Sequence, residues 1–256
     1  RGATWCSIVL FQLELLMITL DRIGDVFTLT MNAGENRWNT TFVNALDDAL
    51  NEVEASTGPA ALVTLSSSDK FFSNGLDLDW VSNPEAHPNG GDHSVFGGQF
   101  MALMGRLITF PMPTLAAING HAFGAGFMSA LCHDIRFMRG DRGFICANEM
   151  QLGMRIPNPE LALFRHKLPM NVFFETVQLA RRWTGPDALQ AGIVQQLESL
   201  DQLQQAAIEK AQSLAPLATN RANYGGQKES IYGKDAVINR AAGPAHMLKN
   251  AKEFHR

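Results

Sequence analysis

Two segments of this chain join an apolar run to a glycine-bearing loop: Phe72-Ser73-Asn74-Gly75-Leu76-Asp77-Leu78, and Asn119-Gly120-His121-Ala122-Phe123-Gly124-Ala125-Gly126-Phe127-Met128. Small residues at such positions let a ligand come close to the backbone. In the second segment the apolar residues after Gly124 open a helix, so the amides near Gly124 and Ala125 lie at a helix N-terminus. Unpaired N–H groups and the helix dipole favour negative charge there, and amides so placed can hold an oxyanion. Either loop taken alone is equally a turn and close-packing device. A dinucleotide site fits poorly, because Gly120, Gly124 and Gly126 lack the G-x-G-x-x-G spacing and the loop lies in mid-chain.

Other residues of suitable type are less persuasive. Cys132-His133-Asp134 has the composition of a metal site, but adjacent residues on a helix point about 100° apart and do not converge on one ion. His121 is a lone histidine between strand and helix, and no Gly-x-Ser-x-Gly elbow marks a serine hydrolase. Glu160, just past Pro157-Asn158-Pro159, suits the first turn of a helix, where a carboxylate is favourable.

The elements that must position these loops alternate in kind. Ile18 to Met31 reads as a first strand, and Thr41 to Ser56 carries Phe42, Leu46, Leu50 and Val53 at helical spacing. Ala60 to Ser66 and Thr114 to Asn119 are apolar strands leading into the two loops. Asn83 to Gly98, rich in Pro, Gly, His and Asn, reads as a mobile surface loop, followed by a helix from Gln99 to Thr109. Ile135 to Met138 and Phe144 to Ala147 are short strands. Helices are expected over Glu160 to Lys167, Val172 to Trp183, Pro186 to Ala191 and Leu200 to Leu214. The class is α/β, with strands early and helices late.

The 256 residues are 46% apolar and 18% charged with a net charge of -4, which is the composition of a globular protein with a sizeable core. No stretch gathers Lys and Arg as a nucleic-acid or anionic-lipid surface would. The three cysteines are odd in number and widely spaced, which suits a reducing compartment, with cytoplasm the default. The apolar stretch from Trp5 to Leu20 is interrupted by Gln12 and Glu14, short of the ~20 apolar residues of a membrane span. Residues 1–16 read as an extension before the start at Met17, 17–195 as the main unit, and 196–256 as a C-terminal helical region.

Taken in order, Phe72 to Leu78, Pro111-Met112-Pro113-Thr114-Leu115-Ala116-Ala117-Ile118-Asn119-Gly120-His121-Ala122, Ala125-Gly126, His133-Asp134 and Asn148-Glu149-Met150-Gln151-Leu152-Gly153 resemble the crotonase superfamily, from about Ile18 to at least Val194. The resemblance implies the ClpP-like spiral of strand-strand-helix turns followed by C-terminal helices, assembled as a homotrimer or dimer of trimers. It implies an acyl-CoA thioester substrate, with coenzyme A part of that substrate and no metal or redox cofactor. Motif matching assigns the backbone amides of Leu76 and Ala125 to the thioester oxygen. It places Arg37 and Trp38 near the nucleotide end, with Ser73, Asn74, Gly75, Asp77, Met128 and Asn148 as further substrate-binding positions. Lys228, Lys234, Arg240 and Lys249 remain equal candidates for a C-terminal contact with the coenzyme.

Hydratases of this superfamily carry two glutamates. Here the first position reads Met128, which cannot activate water, and the second reads Glu149. A 1,3-shift of a double bond needs one carboxylate and an oxyanion hole, and Asn148 to Gly153 is most similar to the matching segment of 3-enoyl-CoA to 2-enoyl-CoA isomerases. The resemblance therefore implies isomerisation with Glu149 as proton shuttle, in fatty-acid β-oxidation. Enoyl-CoA hydratase and a non-catalytic acyl-CoA binding protein are the alternatives.

Overall fold

The computed structural model describes residues 17–234 and 243–254; the proposed extension 1–16 and Arg240 lie outside them. The expected first strand is a hairpin, β1 (Ile18–Ile23) and β2 (Val26–Met31), paired antiparallel because Gly24-Asp25 reverses the chain. After α1 (Thr40–Ala55), each unit lays down two strands before the next helix. β3 (Ala61–Ser66) and β4 (Phe71–Ser73) precede α2 (Leu78–Ser82) and α3 (His93–Ile108). β5 (Thr114–Ile118) and β6 (His121–Phe123) precede α4 (Ala125–Cys132), and β7 (Ile135–Arg139) and β8 (Ile145–Cys146) follow it.

Within each pair the first strand joins a larger sheet of order β1-β2-β3-β5-β7-β9, where β9 is Gln196–Glu198, and the second joins a small sheet of order β4-β6-β8. From β2 onward both sheets are parallel. This is the strand-strand-helix spiral, and the inner strands of the large sheet, β2, β3, β5 and β7, are buried on both faces, as parallel strands with helical cover must be. One face of the large sheet packs Val26, Val63, Leu115 and Phe137 against Leu203, Ala207 and Ala211 of α8 (Leu200–Leu214). Residues beyond 195 thus supply both a sheet strand and a cover for the core.

Three local expectations are corrected. The loop expected over 83–98 contains two 3-10 turns, and α3 begins at His93, capped by Asp92, which accepts from the Ser94 amide at 2.8 Å. An Asp cap satisfies one of the orphan amides of a first turn, which turned a Gly- and His-rich stretch into helix. After α5 (Asn158–Lys167), α6 runs only from Met170 to Val177 and not to Trp183. Ala180 takes φ +47°, and Trp183 pairs through both backbone groups with Ile145 while its indole donates to Thr176 Oγ1, so tertiary pairing overrides helical periodicity. Short α7 (Gly185–Gln190) follows, and the C-terminal stretch adds α9 (Arg221–Tyr232), α10 (Pro244–Lys249) and α11 (Ala251–Phe254).

The His133-Asp134 motif is a clasp between layers. His133 Nδ1 donates to Ser129 O at 2.9 Å, which leaves Nε2 to accept from the Thr64 hydroxyl at 2.7 Å. Asp134 pairs with buried Lys228 at 2.7 Å and accepts from the Thr114 amide. Burial pushes the His133 imidazole down to about 4. Its unfolded value is ordinary, so the unfolded chain binds more protons between pH 4 and 6.5; this stability is complete above pH 6.5 and is lost as pH falls toward 4. Lowering the pH from 7 to 4 is expected to remove about 3 kcal/mol through this residue, read by urea unfolding. An equal pH slope in His133→Gln would refute the assignment.

Candidate active site

Both glycine loops leave the same edge of the small sheet. β4 and β6 are parallel neighbours, with Phe71 opposite His121 and Ser73 opposite Ala122, so the chain after Ser73 and the chain after Phe123 emerge side by side. The fit is backbone on backbone: a Cβ at Gly126 would lie 2.5 Å from Ser73 O, so α4 can rest on the end of β4 only through a glycine. Gly75 has φ +80°, and a methyl group there would lie 2.8 Å from Phe123 O and 3.7 Å from the Ala125 nitrogen. The residue before Leu76 therefore touches the turn that presents the first amide of α4. Among the described residues neither the Leu76 nor the Ala125 N–H donates to a protein acceptor. Both residues line one cleft.

β8 delivers the carboxylate to that cleft. Its pairing with β6 puts Phe123 opposite Cys146, and the Gly124 amide donates to Cys146 O at 2.9 Å. Asn148 and Glu149 follow at once, Glu149 opening a 3-10 turn that ends at Leu152. A methyl group on Gly124 would lie 3.1 Å from Glu149 Oε1 and 3.4 Å from Asn148 Oδ1, which locates the carboxylate over the loop of the Ala125 amide. Glu149 Oε2 is buried without a hydrogen-bond partner among the described residues. Burial raises the Glu149 pKa, opposed only by a backbone hydrogen bond. A half-buried, incompletely solvated carboxylate is a stronger base than one in water, which suits proton abstraction.

Of the residues expected at the site, Asn74, Gly75, Leu76, Ala125, Asn148 and Glu149 share this cleft. Others serve it from behind. Trp38 is 1% exposed, its indole donating to Ser73 Oγ at 3.0 Å and its ring meeting Phe42 and Phe100 edge-on. Neither the Trp38 side chain nor the fully buried Ser73 lines the cleft; Trp38 holds the Leu76 loop, its carbonyl accepting from the Asp77 amide and its amide donating to Gly75 O. Asp77 caps α2, accepting from the Trp80 amide. Met128 is fully buried and belongs to the core behind the cleft rather than to its lining. Arg37 is paired with Glu35 at 2.7 Å and with Asp79 at 3.5 Å and does not line this cleft. Lys228 is buried on Asp134, and Lys249 bonds Glu229 and Thr109.

Sequence reasoning missed Leu78, Leu152 and Met154, which line the cleft and keep 39–51% of their surface exposed. Their signal was present: large apolar residues that directly follow the first glycine loop (Leu78) and the Asn148-Glu149 segment (Leu152 and Met154), where core packing does not require them.

Residues 23–227 match the enoyl-CoA hydratase/isomerase family, and the chain belongs to that family. Over 222 residues it is 30% identical to a protein of Arabidopsis thaliana named enoyl-CoA delta isomerase 2, peroxisomal, covering 84% of this chain and 92% of that one. It is also 33% identical over 180 residues to a carnitinyl-CoA dehydratase of Salmonella typhi, covering 69% of this chain and 64% of the relative. In structure it superposes on an enoyl-CoA hydratase/isomerase family protein from Pseudomonas syringae with TM-score 0.77 and 24% identity, over 94% and 96% of the two chains. The crotonase fold is thus shown, and relatives named for different reactions share it.

Proposed function

We propose that this enzyme shifts the double bond of a 3-enoyl-CoA to give the 2-trans-enoyl-CoA. One observation carries the reading: among the described residues the cleft is lined by a single carboxylate, Glu149, beside two amides with no protein acceptor, while the position at which the resemblance implies a second acid in hydratases is the fully buried Met128. Coenzyme A enters as part of the substrate.

The thioester oxygen accepts from the Leu76 and Ala125 amides. Glu149 takes a proton from C2, and the electron pair of the broken C–H bond moves into a dienolate whose negative charge rests on that oxygen. The same carboxyl group then returns the proton at C4 as the electrons collapse toward C2–C3, so no water is consumed. Leu78, Leu152 and Met154 offer an apolar wall to the acyl chain. The similarity to the Arabidopsis isomerase supports this reading.

The experiment is direct. Purified protein with a 3-enoyl-CoA is expected to generate the ultraviolet absorbance of the conjugated thioester, and with a 2-enoyl-CoA to consume that absorbance far more slowly. Faster hydration than isomerisation would establish the hydratase instead, and thioester binding with no turnover of either would establish a non-catalytic acyl-CoA binding protein.

A further inference from the structure

A backbone amide serves as an oxyanion donor only if something fixes the plane of its peptide group. In a trans peptide the C=O and the following N–H point in opposite directions. Gly75 O accepts from the Trp38 amide at 2.9 Å, so the Leu76 N–H is turned away from Trp38, where Leu76 lines the cleft. Gly124 O accepts from the Met128 amide at 3.0 Å, so the Ala125 N–H points back out of α4. The second donor is thus aimed by its own helix. The first sits in a loop and needs another support.

Ser73 supplies that support. Its hydroxyl donates to Asn36 O at 2.7 Å and accepts from the Trp38 indole at 3.0 Å and from the Gly75 amide at 3.3 Å. A serine hydroxyl has one proton and two lone pairs, so all three are in use, and the residue is fully buried. The partners bracket the Leu76 donor: Gly75 precedes it, Trp38 holds Gly75 O, and Asn36 sets the course of the chain into Trp38. Asn36 is itself fixed, fully buried at φ +50°, with its side-chain amide donating to Ser66 Oγ and Phe72 O. The Ser73 side chain also meets α4, since a methyl group on Gly126 would lie 2.8 Å from both Ser73 Cβ and Oγ. One residue therefore touches the loop of the Leu76 amide and the turn of the Ala125 amide.

Resting on the reading of those two amides as the hole for the thioester oxygen, we propose that Ser73 is a positioning residue of the reaction, whose hydroxyl sets the geometry between the two donors and thereby the polarisation of the bound carbonyl. It acts through the backbone and does not meet the substrate. Without the hydroxyl, the Gly75 amide and the Trp38 indole lose their acceptor, and leaving buried donors unpaired is costly. Relief comes from tilting the peptide group before Leu76. A tilted donor still binds the neutral thioester, but it stabilises the charge that develops on the oxygen of the dienolate far less.

The test reads the carbonyl itself. A saturated acyl-CoA with an isotopically labelled thioester carbonyl is bound to the protein, and its C=O stretch is followed by difference infrared spectroscopy. In wild-type protein the band is expected below that of the free thioester. In S73A it is expected to move most of the way back, while the dissociation constant changes less than about threefold. Isomerase kcat in S73A is expected to fall about 30-fold, short of the ~100-fold that a misplacement of about 1 Å can cost, with KM nearly unchanged. S73C, whose thiol is a weaker donor and acceptor, is expected to fall between the two in both readouts, and it carries the test if S73A does not fold. Variants that lose stability but keep the wild-type band and kcat overturn the proposal. So does a fall in kcat with an unmoved band. A wild-type band that coincides with that of the free thioester removes the hole and the role of Ser73 together. A band displaced in wild-type protein and restored in the variants, without turnover of a 3-enoyl-CoA, removes the isomerase reading alone.

Discussion

Glu149→Gln is expected to lower isomerase turnover by ~10³-fold, within the range that one positioned general acid–base contributes, while the dissociation constant for a saturated acyl-CoA changes less than about threefold. The amide has nearly the shape of the carboxyl group but cannot accept a proton from C2. Its site makes the substitution mild for folding, because Oε2 has no hydrogen-bond partner among the described residues and the glutamine oxygen can keep the backbone hydrogen bond that the carboxyl accepts. Burial also raises the Glu149 pKa, so the wild-type rate should fall on the acid side as the carboxylate is protonated, with a midpoint above that of a solvated glutamate. Single-turnover assays alongside calorimetric titration with acyl-CoA separate the two effects. Activity within tenfold of wild type in the glutamine variant would remove Glu149 as the shuttle.

Gly75→Ala is expected to lower kcat about 100-fold, the scale reported by removal of one oxyanion donor, with a smaller change in KM. The added methyl group would lie 2.8 Å from Phe123 O and must be carried at φ +80°. Strain of that kind costs about 1–3 kcal/mol, which a domain of this size survives, and it is relieved by moving the Leu76 loop away from the Ala125 turn. The distance between the two donors is what changes. Side chains of the cleft stay in place, so acyl-CoA binding should persist. A variant with wild-type kcat and an unaltered fold would show that the Leu76 amide does not stabilise the dienolate.

The parts of the site legible in the sequence were those fixed by backbone chemistry. The glycines at 75, 124 and 126 announce a close approach of main chains, and the structure brings those loops to one edge of the small sheet. Residue direction was not legible. Trp38 and Ser73 lie within a few positions of the cleft in sequence, yet their side chains point into the core, where the buried indole finds Ser73 Oγ as the partner for its N–H. The partners of Arg37 were not legible either, since nothing in the sequence shows that the fold sets Glu35 and Asp79 beside it. The helix expected to reach Trp183 stops at Val177 because pairing with Ile145, far away in sequence, outweighs local periodicity. Glu160 read as a first-turn carboxylate, and its burial becomes visible only once α5 lies on α4.

The pairing of β4 with β6 brings Phe71 next to His121, about fifty residues apart, and β8 must then dock on β6 to deliver Glu149. The catalytic constellation is thus assembled from three chain segments by contacts of high sequence separation, which form late and slowly relative to helices and hairpins. Refolding followed by turnover should lag behind refolding followed by helical circular dichroism. Enzymatic activity in this architecture is in effect a clock for the last topological step of folding.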